Sequence, residues 1–173
     1  MRRDKEAPPD PLTAGLRMLA RRPYSVAEMR RALEKKYPDS SQVPKALARL
    51  RELRYLDDKK FAEHHASSLA RNRAYGRNRI RRELKARLVD YRQIEPALQQ
   101  AFGETSEREL LERTLEKKVR SLRLPLTPAK LASLCQSLLR RGFRGEDIMK
   151  AVRERPDLKP IADEQEPVED EGF

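Results

Sequence analysis

The chain contains no tryptophan and a single cysteine, and only 5% of its 173 residues are aromatic. Without large rings, packing falls to leucine, isoleucine, valine and alanine, which favours thin helical layers over one deep core. The lone thiol, Cys135, leaves no partner for an internal disulfide or a paired-thiol metal site. In the run LASLCQSLL it reads as a buried structural side chain. No stretch approaches the ~18 consecutive apolar residues of a membrane span. The start, MRRDKEAPPDP, lacks the apolar centre of a signal peptide. A soluble, cytoplasmic protein with no membrane partner is the expectation. Phosphate-cradling glycine loops and nucleophile elbows are missing too. The only histidines, His64 and His65, are adjacent. Successive helical residues point about 100° apart, and paired metal ligands want i, i+4 spacing. Asp57 and Asp58 read better as a helix cap than as a nuclease cluster, since no third acid is spaced to support one. Neither catalysis, cofactor nor metal is expected.

What the chain has in excess is positive charge. Charged residues make up 39%, as many as the 38% that are hydrophobic, and the formal net charge is +11. The imbalance is uneven. From Pro156 onward stand seven acids and one base, which leaves a net +17 on residues 1–155. Such a body attracts polyanions or acidic protein surfaces.

The chain also repeats itself. A shift of 51 residues lays YSVAEMRRALEKKY (24–37) on YGRNRIRRELKARL (75–88). Met29, Leu33, Val43 and Leu47 then fall on Ile80, Leu84, Ile94 and Leu98. A further shift of 54 reaches Leu134, Leu138, Ile148 and Val152. Two helices joined by a turn produce this pattern, because each i, i+4 pair lines one helix face. Boundary signals agree. Ser25 with Glu28 spells a capping box, with Tyr24 and Met29 as its hydrophobic staple. Asp39 with Gln42, and Asp90 with Gln93, offer the same box, and Val89 and Ile94 a second staple. Gly76 stands where Ser25 stood, as a weaker cap. In the third copy the second helix is expected to open at Thr127, with Pro128 at its first position and Leu126 before it.

Each pair is preceded by one more helical stretch: residues 12–22, ended by Pro23, residues 57–73, and residues 106–123. Asp57 reads as the cap of the middle one, with Leu56 and Phe61 as staple. The expected fold is all-α: three tandem three-helix repeats in an elongated, curved arrangement. A disordered lead (1–11) precedes repeats at 12–54, 55–103 and 104–155, and an acidic tail (156–173) follows.

The residues Tyr55, Leu56, Asp57, Asp58, Phe61 and Ala62, followed by Gly76, Ile80, Glu83 and Leu84, resemble the signature of the RecX family of recombinase regulators. The likeness spans about residues 12–155 and is strongest over 50–100. This chain departs from the family pattern at Arg54, where glycine is common, and at LVDYRQI, which replaces a frequent Gly-Ile turn. The resemblance implies binding to the filament that RecA-type recombinase forms on single-stranded DNA. It also implies damping of that filament's ATP hydrolysis, strand exchange and co-protease activity, and so a role in DNA repair, recombination and the SOS response, by a monomer without catalytic residues.

The arginines suggest where a partner would sit. Arg30 and Arg31 align with Arg81 and Arg82, each pair following the first core residue of its helix and turning away from it. The third copy has Cys135 and Gln136 there and reads as more structural. Repeats one and two are therefore expected to present one basic surface: Arg30, Arg31, Arg77, Arg81, Arg82 and Lys85. Guanidinium pairs bidentately with phosphate and carboxylate alike, so the spacing does not choose between single-stranded or duplex DNA and an acidic protein groove. A stand-alone basic helical DNA-binding protein is the alternative, although no helix rich in base-reading asparagine, glutamine and serine is evident.

Overall fold

A computed structural model of the chain describes residues 9–38, 41–103 and 106–159. Among these residues there are nine α-helices and no strand. They are α1 (Pro11–Leu19), α2 (Val26–Lys36), α3 (Gln42–Glu52), α4 (Asp58–Arg73), α5 (Arg77–Ala86), α6 (Tyr91–Gly103), α7 (Glu107–Val119), α8 (Pro128–Arg140) and α9 (Gly145–Arg153). The densest helix–helix contacts fall within the triplets α1–α3, α4–α6 and α7–α9, so the described residues form three successive three-helix units. All twelve residues of the repeated apolar pattern are buried.

Caps explain where the helices begin. Asp10 accepts the N–H groups of Leu12 and Thr13 ahead of Pro11. Ser25 and Glu28 close the reciprocal capping box. Asp57 accepts from the Lys60 N–H, and Thr127 from the Lys130 N–H ahead of Pro128. Asp90 accepts from the Arg92 N–H at 2.8 Å, while Gln93 bonds to the Asp90 carbonyl through its own backbone N–H. Asp39 lies outside the described residues; Ser41 occupies the N-cap of α3 without a side-chain bond. Two first helices are shorter than expected. The residue before Pro23 cannot stay helical, and α1 ends at Leu19. Helix α7 ends at Val119, where the Ser121 hydroxyl donates to the Lys118 carbonyl.

The first helices differ in girth. Gly15 of α1 leaves room for Leu50 of α3, whose Cδ1 would lie 2.8 Å from an added Cβ. Ala62, Ala66 and Ala70 line the buried face of α4, and α4 packs extensively along α6. The corresponding residues of α7 are Leu111, Leu115 and Val119, which hold that helix further off.

Apolar continuity is uneven. Repeats two and three share one core, from Phe61 to Leu158, whereas repeat one has its own, from Ala14 to Leu56. Leu56 therefore packs into repeat one, while Phe61 belongs to the shared core; they do not sit in the same cluster as the expected staple requires. Both ends carry structure beyond the expected limits. The Tyr37 hydroxyl donates to the Pro9 carbonyl. Pro156–Leu158 forms a 3₁₀ turn in which Leu158 is fully buried and Asp157 pairs with Arg155. Residues 1–8 and 160–173 lie outside the described residues.

Candidate binding surface

The second helices of repeats two and three end in a common way. After α5, the Val89 N–H reaches the Leu84 carbonyl and the Leu88 N–H the Lys85 carbonyl, a Schellman motif with Leu88 left-handed at φ 57°. After α8, Phe143 and Gly142 make the matching bonds to Leu138 and Leu139, with Gly142 at φ 92°. Leu88 thus stands where the third copy has glycine, and it leaves the face that Ile80 and Leu84 bury.

These turns dock on the preceding repeat. The Ser25 hydroxyl donates to the Arg87 carbonyl at 2.6 Å, and the Gly76 N–H to the Arg141 carbonyl at 2.8 Å. Ser25 and Gly76 are one register position, and Arg87 and Arg141 another. The next N–H repeats the relation: Val26 donates to the Asp58 carboxylate and Arg77 to Glu107, each at 2.8 Å. Asp58 and Glu107 open α4 and α7, the first helices of the following repeats. Each repeat therefore caps the second helix of the one before it, at two equivalent points. Gly76 is required by this close approach: an added Cβ would lie 2.7 Å from backbone atoms of Gly142 and Phe143.

The joints fix the arginines differently. Arg30 and Arg31 are exposed, as are Arg82 and Lys85. Arg81 forks onto Glu95, with Nε–Oε1 at 2.7 Å and Nη2–Oε2 at 3.2 Å, and its side chain is only 27% exposed. That pair holds the Glu95 carboxyl below its ordinary pKa. Arg77 pairs with Glu107 at 3.5 Å and lies over the Phe102 ring. Of the six expected surface residues, four face solvent and two are spent on internal acids.

One residue went unnoticed in the sequence. A groove of about 700 Å³ runs between α5 and the turn opening α9, lined by Arg81, Arg82, Leu139, Phe143, Arg144 and Glu146. Arg144 is exposed, and Leu139 is 47% exposed. The third repeat, expected to be more structural, thus adds a cation opposite Arg82. The signal was available: the 54-residue shift puts Arg144 on Asp90, at a helix N-cap where arginine forms no side-chain bond.

Comparison with known proteins decides the lineage. Residues 12–50 match the RecX first three-helix domain and residues 57–98 the second. A regulatory protein RecX from Chlorobaculum tepidum is 38% identical over 143 residues, covering 82% of this chain and 86% of its own. The chain belongs to the RecX family. A RecX regulatory protein from Stenotrophomonas maltophilia is 31% identical over 149 residues, covering 85% and 88%. The crystal structure of RecX from Lactobacillus salivarius superposes with a TM-score of 0.71 at 19% identity, over 83% of this chain and 93% of that one. The three-helix units are thus the RecX fold, and the chain is a regulatory protein of that family.

Among the described residues no group of three or more His, Cys, Asp or Glu side chains is placed to hold a metal, and no helix is long and apolar enough to cross a membrane. Cys135 is half-buried against the shared core, and burial pushes its thiol pKa up, away from the reactive thiolate.

Proposed function

We propose that this RecX protein binds the RecA-type recombinase filament on single-stranded DNA and damps its ATP hydrolysis, strand exchange and co-protease activity. The observation that carries the reading, beyond family membership, is an exposed arginine repeated at one register on α2 and α5, Arg31 and Arg82, with Arg30 and Lys85 exposed beside them. Arg30 and Arg31 on one repeat, and Arg82 and Lys85 on the next, form a series that a periodic anionic partner could follow. Arg77 and Arg81, paired with Glu107 and Glu95, border that series without adding free charge to it. A filament offers such a partner, since both its protomers and its phosphates recur along one axis. No step requires a catalytic residue: occupancy alone suffices to hinder a neighbouring protomer.

The test adds purified protein, substoichiometrically, to recombinase hydrolysing ATP on single-stranded DNA. Hydrolysis should slow with the wild type. It should slow far less with an Arg30→Ala, Arg31→Ala, Arg82→Ala triple variant whose melting temperature is nearly unchanged, because exposed substitutions usually cost under ~0.5 kcal/mol each. No slowing by the wild type would reject the filament reading. Salt then separates the two ligand chemistries. If the cations meet DNA phosphates, each lost contact should flatten the log–log salt dependence by roughly 0.7 on single strands.

A further inference from the structure

We propose that the cavity at the joint of repeats one and two is a stacking site for one unstacked nucleotide of a single-stranded nucleic acid. This goes beyond the filament reading and does not depend on it. The cavity holds about 480 Å³, within the range of small-molecule sites. Its walls come from the end of α1, the α1–α2 connection, the Arg54–Asp57 segment and one face of α4.

Rings dominate those walls. Tyr55 is 58% exposed, which leaves most of its surface open to a ligand. Phe61 and His65 lie nearly parallel, 14° apart with centroids 5.5 Å apart, and His64 follows on the same helix. Tyr24 closes the far side, with the Arg22 guanidinium 3.6 Å from its centroid. Burial and the nearby Arg87 hold the His65 pKa below its ordinary value, so at neutral pH its imidazole is uncharged and offers one donor and one acceptor. Lys60 and Arg54 stand at the same cavity, both exposed, where phosphates flanking a bound base would lie. Aromatic faces with adjoining cations are the elements of single-strand binding, and they tolerate any base because every base has a π-face.

Repeat architecture does not account for these rings. Helices α4 and α7 align from their caps, Asp57 and Ser106. On that register Phe61 becomes Leu110, His64 becomes Arg113 and His65 becomes Thr114, and the second joint packs without an aromatic or imidazole at these positions. Tyr24 does have a counterpart in Tyr75, which also carries an arginine over its ring, Arg79 at 5.3 Å. Tyr24 is therefore part of the joint and Phe61, like the equally buried Leu110, part of the core, whereas Tyr55, His64 and His65 are particular to the first joint.

The experiment compares two 12-mers of equal charge by fluorescence anisotropy on the full chain without recombinase: oligo(dT), and the same backbone with every site abasic. The base-bearing strand should bind roughly 5- to 100-fold more tightly. Tyr55→Ala should remove most of that difference and Tyr55→Phe should preserve it; with so exposed a ring, neither change reaches the core. In parallel, the His64 and His65 ring protons should shift in NMR spectra on adding oligo(dT) and stay still with the abasic strand. Equal affinities for the two strands would overturn the proposal, as would a difference that survives Tyr55→Ala. So would a Tyr55→Ala chain that loses the recombinase filament while its strand preference persists, which would assign the cavity to a protein partner. Failure of the filament reading would leave the strand comparison intact, because no recombinase enters it.

Discussion

Three residues that carry a Cβ hold backbone conformations that suit glycine better: Arg54, Leu88 and, at φ 50°, Ala74. Arg54 and Leu88 both sit at φ 57°, each at the C′ position of a Schellman motif. The turn geometry is kept and the side chain bears the strain, of order 1 kcal/mol for a residue with a Cβ. Leu88 is 40% exposed, so its removal sacrifices little burial. Leu88→Gly should therefore stabilise the fold by about 0.5–1 kcal/mol in urea denaturation, where Leu88→Ala should bring no gain. The reverse change shows the same rule: Gly142 has φ 92°, and an added Cβ would stand 2.2 Å from the Arg79 nitrogen. His65 makes a pH prediction. Its folded pKa is depressed below 6.5, first by burial and then by Arg87, against weaker opposition from Glu83 and Glu28. The unfolded chain then binds the proton more readily, so this contribution to stability is complete above pH ~6.5 and declines as pH falls below it. Unfolding free energy measured from pH 7.5 to 5 should drop less in His65→Gln than in the wild type.

At the scale of helices, the joints decide more than propensity does. Ser25→Ala removes a capping oxygen and the donor to Arg87 together, and should cost about 1–2 kcal/mol. Gly76→Ala should cost more, over ~2 kcal/mol, since the atoms in its way are backbone and cannot rotate aside. Hydrogen exchange would locate the damage: the Gly76 and Asn78 amides, bonded to Arg141 and Gly142, should lose protection before the centre of α6 does. This contrast also marks what was readable beforehand. Met29, Ile80, Leu134 and their partners announced the helices because apolar spacing is local. Gly76 looked like a weak cap because its need for a bare Cα arises 66 positions later, at Gly142. Arg81 looked equivalent to Arg30 because nothing local reveals that Glu95 lies across from one of them. Register locates a side chain on a helix face, but only tertiary contact tells whether it is free.

For the molecule as a whole, the unequal joints set where the chain can be cut. Repeats two and three share an apolar core that reaches Leu158, three residues beyond the expected limit at 155. The charge pattern drew that limit, since Asp157 looks like the first acid of a solvated tail. In the structure Asp157 is held by Arg155, and the next residue is an apolar anchor with no exposed surface. Two truncations separate these roles. Ending the chain at Lys159 removes six acids and no base, raising the formal charge from +11 to +17 while leaving every described helix intact. Its unfolding free energy should stay within ~0.5 kcal/mol of the full chain. Ending it at Arg155 also deletes Leu158 and opens the shared core, which should cost about 2–5 kcal/mol. Affinity for an oligonucleotide at low salt then reports on the acids alone. If the shorter deletion binds no more tightly than the full chain, residues 160–173 do not compete for the cationic series. A gain that fades as salt rises would mean that they cover it, since screening weakens an internal acidic competitor and an external phosphate strand together.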